Sequence, residues 1–136
     1  MTRSHKIIID TNLWISFLLT KQFSFLDKLI VKKKVRLIFS DELLAEFLEV
    51  VKRPKLSKYF DNKDLEQLID SINQHGEFYS VNTIVEICRD KKDNFLLALA
   101  NESKAEFLIT GDKDLLILKK FENTEIITIA EFKIKL

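Results

Sequence analysis

Hydrophobic positions along the chain alternate between short continuous runs and stretches spaced like one face of a helix. Continuous runs of strand length predict buried strands, whereas apolar residues at i, i+3 and i+4 predict amphipathic helices. The predicted strands cover residues 6–9, 36–40, 77–81, 106–110 and 125–129. The predicted helices cover residues 13–19, 24–33, 41–52, 56–60, 63–74, 93–104 and 112–119, with a terminal helical turn from residue 130.

This order of elements predicts the fold class. Strands that alternate with helices form right-handed βαβ units, in which helices cover both faces of a parallel sheet. We therefore expect an α/β fold with three layers, α/β/α, around a central and mainly parallel sheet of four or five strands. The 136 residues fit a single domain, 1–136. Two Gly and one Pro leave little material for linkers or for a turn-rich all-β sandwich.

Composition narrows the compartment and the class of partner. The single cysteine, Cys88, excludes an internal disulfide and a cysteine-rich metal site, which favours a reducing cytoplasm. No apolar run reaches the roughly 18 residues of a membrane span, and the first residues lack the apolar core of a signal peptide. The net charge of +1 does not by itself indicate a nucleic-acid-binding protein. Lysine and arginine nevertheless cluster at 32–36, 52–58, 89–92 and 113–120, where a solvated surface is the simpler interpretation.

Four acidic residues follow a predicted strand or lie near the start of a predicted helix. Asp10 ends the first apolar run, and Asp112 follows strand 106–110 across Gly111. The carboxyl ends of parallel strands share one edge of a sheet, so these two acids should lie close together. Glu46 flanks the apolar stripe of helix 41–52, near the same edge. Asp93 begins a helix that enters the sheet from the opposite end, so topology places it less directly.

Each acid has a structural alternative, because Asp is a common helix cap and Glu is common on exposed helix faces. Together, however, four carboxylates in one cleft would repel one another and raise their own pKa values unless a cation were bound. An oxygen-only ligand set favours Mg²⁺ or Mn²⁺ over zinc. The two histidines, His5 and His75, fall outside the pattern and are predicted to lie on the surface.

Hard cations held between carboxylates are suited to hydrolysis of a phosphodiester bond. Such a site needs small polar groups near the scissile phosphate and basic residues along the nucleic-acid backbone. The candidates for substrate positioning are Asn12, Thr11 and Thr110. The candidates for contact with a nucleic-acid backbone are Arg53, Lys92 and Lys113.

Five segments, taken in order, resemble a known family. They are IDTN at 9–12, SDELLAE at 40–46, RPKL at 53–56, CRDKKDN at 88–94 and ITGDKDLL at 109–116. This ordered set resembles the PIN domain, in the VapC-like branch of ribonuclease toxins from toxin–antitoxin pairs. The similarity spans nearly the whole chain. The resemblance implies a three-layer α/β fold and a ribonuclease that depends on Mg²⁺ or Mn²⁺.

The resemblance also implies roles for single residues. The family's acidic quartet, which is catalytic and binds metal, corresponds to Asp10, Glu46, Asp93 and Asp112. Asn12 and Thr110 correspond to its polar positions. Asp90 and Asp114 are second-tier candidates, with Asp114 the more plausible neighbour of the metal. Lys91 departs from the pattern, since the branch often has Pro there, but this departure leaves every acid in place.

The toxin branch further implies partners. A cognate antitoxin protein would cover the cleft, and the toxin would form a homodimer. The apolar residues of the early helices could supply the dimer surface, with burial in the core as the alternative for most of them; these residues are Trp14, Phe17, Phe23 and Phe25.

Other functions remain open at this point. A phosphatase of the haloacid-dehalogenase kind also has an Asp after its first strand, but it needs a second Asp two residues later, where this chain has Asn12. A receiver domain needs a phospho-accepting Asp after a central strand and a late paired Lys, and neither is clear. The remaining alternative is a non-catalytic interaction module in which the acids serve as helix caps.

Overall fold

The computed structural model of the protein describes residues 4–20 and 23–136, apart from the side chain of Phe23. These residues form a sheet of six strands in the order β3-β2-β1-β4-β6-β5. The strands are β1 His5–Ile9, β2 Val35–Phe39, β3 Gly76–Phe78, β4 Phe107–Ile109, β5 Lys120–Phe121 and β6 Thr124–Ile127. All neighbours pair in parallel except β5, which is antiparallel to β6.

Helices flank this sheet and connect its parallel strands. They are α1 Thr11–Thr20, α2 Phe23–Val31, α3 Asp41–Val51, α4 Pro54–Ser57, α5 Asn62–His75, α6 Lys91–Ser103, α7 Lys113–Leu116 and α8 Ile129–Lys135. No helix in the described ranges is long and apolar enough to cross a membrane. The predicted α/β class, with helices around a mainly parallel central sheet, is confirmed.

The sheet has six strands, one more than the upper end of the expected range of about four or five. The sixth strand is β5, which has only two residues and therefore leaves no hydrophobic period in the sequence. The start of α6 was misplaced. The helix begins at Lys91 and is capped by Asp90, so that Asp93 lies inside the first turn and not at the cap.

The centre of the core is β1, in which Ile7, Ile8 and Ile9 are each at most 1% exposed. A strand covered by helices on both faces has no polar side, so its residues form a continuous apolar run. Trp14 packs its ring against those of Phe17 and Phe39. Trp14 and Phe17 are therefore core residues, and neither supplies the dimer surface considered above.

The other two aromatic residues considered for that surface differ. Phe25 is partly buried, with the ammonium of Lys133 4.8 Å from its ring centroid. The side chain of Phe23 lies outside the described residues. His5 was also misjudged as a surface residue: its Nδ1 lies 2.7 Å from Oε2 of Glu106, and both side chains are mostly buried.

Strand order places a crevice at one edge of the sheet. From β1 the chain proceeds outward through β2 and β3, and from β4 it proceeds outward in the opposite direction through β6. In open α/β sheets such a reversal leaves a crevice at the carboxyl ends of the two central strands, where ligands bind. Here those strands are β1 and β4, which are followed by Asp10 and Thr110.

A methyl group should affect stability differently at the two glycines. A Cβ on Gly76 would lie 2.5 Å from the carbonyl oxygen of Ile72, whereas nothing lies within 4 Å of a Cβ on Gly111. Neither glycine has a positive φ. We expect Gly76→Ala to lower the free energy of unfolding by about 1–3 kcal/mol. We expect Gly111→Ala to change it by less than about 0.5 kcal/mol.

Urea unfolding of the two single variants beside the wild type measures this difference. Equal stability of the two variants would show that the contact at Gly76 relaxes at no cost.

Candidate metal centre

Asp10 is fixed where β1 ends. Its backbone N–H donates to the carbonyl of Ile109 at 3.0 Å, which extends the pairing of β1 with β4 by one residue. Its carboxylate accepts hydrogen bonds from the Thr110 hydroxyl, at 2.7 Å to Oδ2, and from the Asn12 N–H, at 3.3 Å to Oδ1. Asp10 is 8% exposed, so the end of the strand presents an almost fully buried carboxylate.

Thr110 connects Asp10 to Asp112. Its hydroxyl donates to Asp10 and accepts from the backbone N–H of Asp112 at 3.0 Å. Asp112 in turn caps α7, since its Oδ1 accepts from the N–H of Asp114 at 2.8 Å. Thr110 is 1% exposed, so it acts beneath the two acids by holding them in place.

Glu46 reaches the same edge from α3. Ser40 caps the start of the helix, because its buried Oγ accepts from the N–H of Leu43 at 3.0 Å. Leu43, Phe47 and Val51 are the buried stripe of the helix, and Glu46 lies half-buried beside it. This is the position that helical periodicity predicted for an acid that flanks the apolar face.

Asp93 is positioned by the first turn of α6. Asp90 caps this helix, because its Oδ1 accepts from the backbone N–H of Lys92 at 2.9 Å. Asp93 therefore lies in the first turn of α6. Asp93 is 5% exposed. Its Oδ2 is fully buried and has no hydrogen-bond partner among the described residues.

The irregular segment before α6 is fastened to that helix at two points. The Asn94 side chain accepts from the N–H groups of Ile87 and Cys88, at 3.1 and 2.7 Å, and donates to the carbonyl of Cys88 at 3.0 Å. Further along the helix, one carboxylate oxygen of Glu102 accepts from the Thr83 hydroxyl at 2.6 Å and from two backbone N–H groups, at 3.0 and 3.2 Å. These bonds fix the approach of the chain to Asp90 and Asp93.

The four predicted acids line a single cavity of about 180 Å³. Its walls are formed by Asp10, Thr11, Asn12, Leu43, Glu46, Val50, Arg53, Asp90, Lys92, Asp93, Leu96 and Asp112. A shallower cavity beside it shares Asp10, Asn12 and Asp112. Larger cavities lie elsewhere on the described chain, but none of them gathers acids in this way. The cavity with five carboxylates is therefore the candidate site.

The other predicted residues divide into two groups. Asp114 lies beside the acids: carboxylate oxygens of Asp93, Asp112 and Asp114 are all within 4.8 Å of one another. Arg53 and Lys92 line the cavity. Lys113, by contrast, is exposed at the start of α7 and is not among the residues that line it.

Burial and mutual repulsion both disfavour the ionised forms of the carboxylates in the cavity. Burial raises the pKa of Asp93 to about 7, a hydrogen bond between the Asp93 and Asp112 side chains adds to the rise, and the charges of Asp112, Asp90 and Asp10 follow. Burial also raises the pKa of Asp10, although the hydrogen bond from Thr110 opposes that rise. Two carboxylates about 5 Å apart repel each other by roughly 3 kcal/mol at an effective dielectric constant near 20.

A divalent cation would relieve this strain. The donor set consists of carboxylate oxygens, which suits Mg²⁺ or Mn²⁺. The buried Oδ2 of Asp93 would gain the partner that it otherwise lacks, and the carboxylates would no longer repel one another without compensation. The residues present therefore fit a hard metal ion, and Asp93 supplies the most specific reason.

Three features of the site did not follow from the sequence. Asp90, which the resemblance gave only as a second-tier candidate, both lines the cavity and caps α6. An ion pair joins Lys92 to Glu46, with Nζ 3.3 Å from Oε1, and another joins Arg89 to Asp114 at 2.9 Å. An Asp three residues before another acid is a helix-start signal, and it could have placed the cap at Asp90. Nothing local in the sequence indicates either ion pair.

Comparison with known proteins agrees with this geometry. Residues 6–114 match the family model described as PIN domain. An uncharacterized protein of Methanocaldococcus jannaschii is 36% identical over 118 residues, which cover 84% of this chain and 75% of that protein. No solved structure matches the chain significantly.

Proposed function

The chain belongs to the PIN domain family, and from this premise we propose that it is a metal-dependent endoribonuclease that hydrolyses RNA phosphodiester bonds. A PIN domain implies a nuclease-type fold that typically uses divalent metal. The proposal goes further in naming Mg²⁺ or Mn²⁺, RNA as the substrate, and a centre in which Asp10, Glu46, Asp93 and Asp112 hold two ions.

One observation carries the proposal. Four carboxylates from separate parts of the chain line one cavity, and among them Asp93 has a buried oxygen without a partner. Helix capping explains Asp90 and Asp112, but it does not explain why Asp10, Glu46 and Asp93 face the same small space. A metal site gives these acids a common role, and carboxylate oxygens of Asp93 and Asp112 already lie at the spacing of metal ligands.

The protein groups would act mainly by positioning. Bound ions would supply an activated water and would neutralise charge on the leaving oxygen. Thr110 holds the Asp10 carboxylate and the Asp112 backbone in fixed orientation. Asn12 is exposed where both cavities open, and Thr11 lies on the wall of the smaller one, so both can orient a phosphate. Arg53 and Lys92 supply positive charge for the RNA backbone.

The toxin role is a separate part of the proposal. It is supported by the ordered motifs that resemble VapC-like toxins, and it implies a cytoplasmic protein with a cognate antitoxin and a homodimeric assembly. Growth of cells that express the chain, with and without a candidate antitoxin encoded by a gene next to its own, tests this role. Toxicity without rescue by that gene would argue against the pair.

Cleavage of RNA tests the enzymatic proposal. We expect wild-type protein to cleave single-stranded RNA with Mn²⁺ or Mg²⁺ and to lose this activity in EDTA. Glu46→Gln should lower the rate by at least about tenfold, because a metal ligand would be lost. The matched control is Glu42→Gln, an exposed position on the same helix, which should cleave at the wild-type rate.

The alternatives give different results in the same assay. Hydrolysis of p-nitrophenyl phosphate without cleavage of RNA would favour a phosphatase. No metal-dependent cleavage of any RNA, together with no binding of Mn²⁺, would favour a non-catalytic interaction module.

A further inference from the structure

Two cations from one short segment pair with acids at the metal centre. Lys92 pairs with Glu46, and Arg89 pairs with Asp114. Among the described residues, Asp10, Asp93 and Asp112 have no such ion pair. The centre therefore has uncompensated carboxylates in its interior, while the two acids at its sides are already neutralised.

Helix stability does not explain why a lysine occupies position 92. It is the second residue of α6, where the positive end of the helix dipole disfavours a cation. Its side chain is 61% exposed, and its ion pair is with Glu46. The backbone N–H of Lys92, which Asp90 caps, does not depend on the identity of the side chain. Replacing the side chain should therefore leave the fold intact.

The ammonium and a metal ion would compete for one carboxylate. Glu46 lines the cavity together with Asp93 and Asp112, so an ion that binds Oε1 must displace Nζ, and an ion that binds Oε2 must share the carboxylate with the ammonium. An ammonium kept about 3 Å from that oxygen would also repel a divalent cation beside it. We propose that Lys92 lowers the metal affinity of the centre by occupying Glu46 until a cation takes that carboxylate. This inference depends on the metal-binding part of the proposed function.

Calorimetric titration with MnCl₂ tests the inference without any activity assay. We expect Lys92→Met to bind Mn²⁺ about fivefold more tightly than wild type, which is the upper range for a half-exposed ion pair. The matched control is Lys91→Met, because Lys91 is adjacent, carries the same charge and is not among the residues that line the cavity. It should change the affinity by less than about twofold. Lys92→Arg keeps the charge and should bind Mn²⁺ as wild type does.

The same substitutions in Glu46→Gln protein show whether Lys92 acts on the metal affinity through Glu46. With Glu46→Gln present, Lys92→Met should change the Mn²⁺ affinity no more than Lys91→Met does, because Lys92 then has no carboxylate to occupy. If Lys92→Met and Lys91→Met are equivalent while Glu46 is present, Lys92 does not compete with the metal and the inference is overturned. If neither wild type nor any variant binds Mn²⁺, the proposed metal centre itself is wrong.

Discussion

Asp93→Asn is expected to reduce RNA cleavage by at least about a hundredfold and, in the same protein, to make the metal-free fold more stable. The loss of cleavage follows from the loss of a metal ligand. The gain in stability follows from burial: an ionised Asp93 is disfavoured in the folded state, as its pKa of about 7 indicates, and a neutral amide removes that penalty.

The gain should be roughly 2–4 kcal/mol at about pH 8, where wild-type Asp93 is ionised. Urea unfolding in EDTA measures stability, and cleavage of RNA with Mn²⁺ measures activity. The control is Asp70→Asn, an exposed position on α5, which should change neither quantity. If Asp93→Asn unfolds at a lower urea concentration than wild type, the Asp93 carboxylate stabilises the folded protein and the predicted cost of burying it is absent.

The stability of the metal-free wild type should fall as the pH rises from about 4 to about 7. The pKa of Asp93 is raised in the folded protein above its value of 3.8, so the folded state binds the proton more tightly than the unfolded chain. Stability from this group is complete below about pH 4 and is lost as the pH approaches the folded pKa. Asp10, whose pKa is also raised by burial, contributes with the same sign.

Urea unfolding in EDTA across this range, compared with Asp93→Asn, isolates the contribution of Asp93. The difference in stability between the two proteins should be small near pH 4 and should grow by roughly 2–4 kcal/mol toward pH 8. Added Mn²⁺ should oppose the trend, since metal binding requires the ionised carboxylate. A difference that does not vary with pH would show that Asp93 titrates as it does in the unfolded chain.

Prediction from the sequence succeeded where a signal repeats or is local. The apolar run before Asp10 predicted β1, and the stripe of α3 predicted that Glu46 would lie beside a buried face. Prediction failed where elements are short or irregular. The strand β5 has two residues. The segment before α6 is held by hydrogen bonds to Asn94 and Glu102, and those to Glu102 join residues 19 or 20 positions apart in the chain.

The candidate site shows the same division. The sequence placed Asp10 and Asp112 at one edge of the sheet, because both follow parallel strands. It could not place Asp93 securely, since a helix that enters the sheet from the other end can rotate its first turn toward or away from the crevice. The cap at Asp90 decides that rotation in the structure.

By itself, the sequence indicated the α/β class and which acids follow strands or flank a buried helix face, because hydrophobic period and the order of elements are properties of the chain. Only the tertiary structure decided that Asp93 is buried with an unpartnered oxygen and that Lys92 pairs with Glu46. The reason is physical. Burial and ion pairing depend on distances between residues far apart in the chain, and folding sets those distances through the packing of whole helices against the sheet.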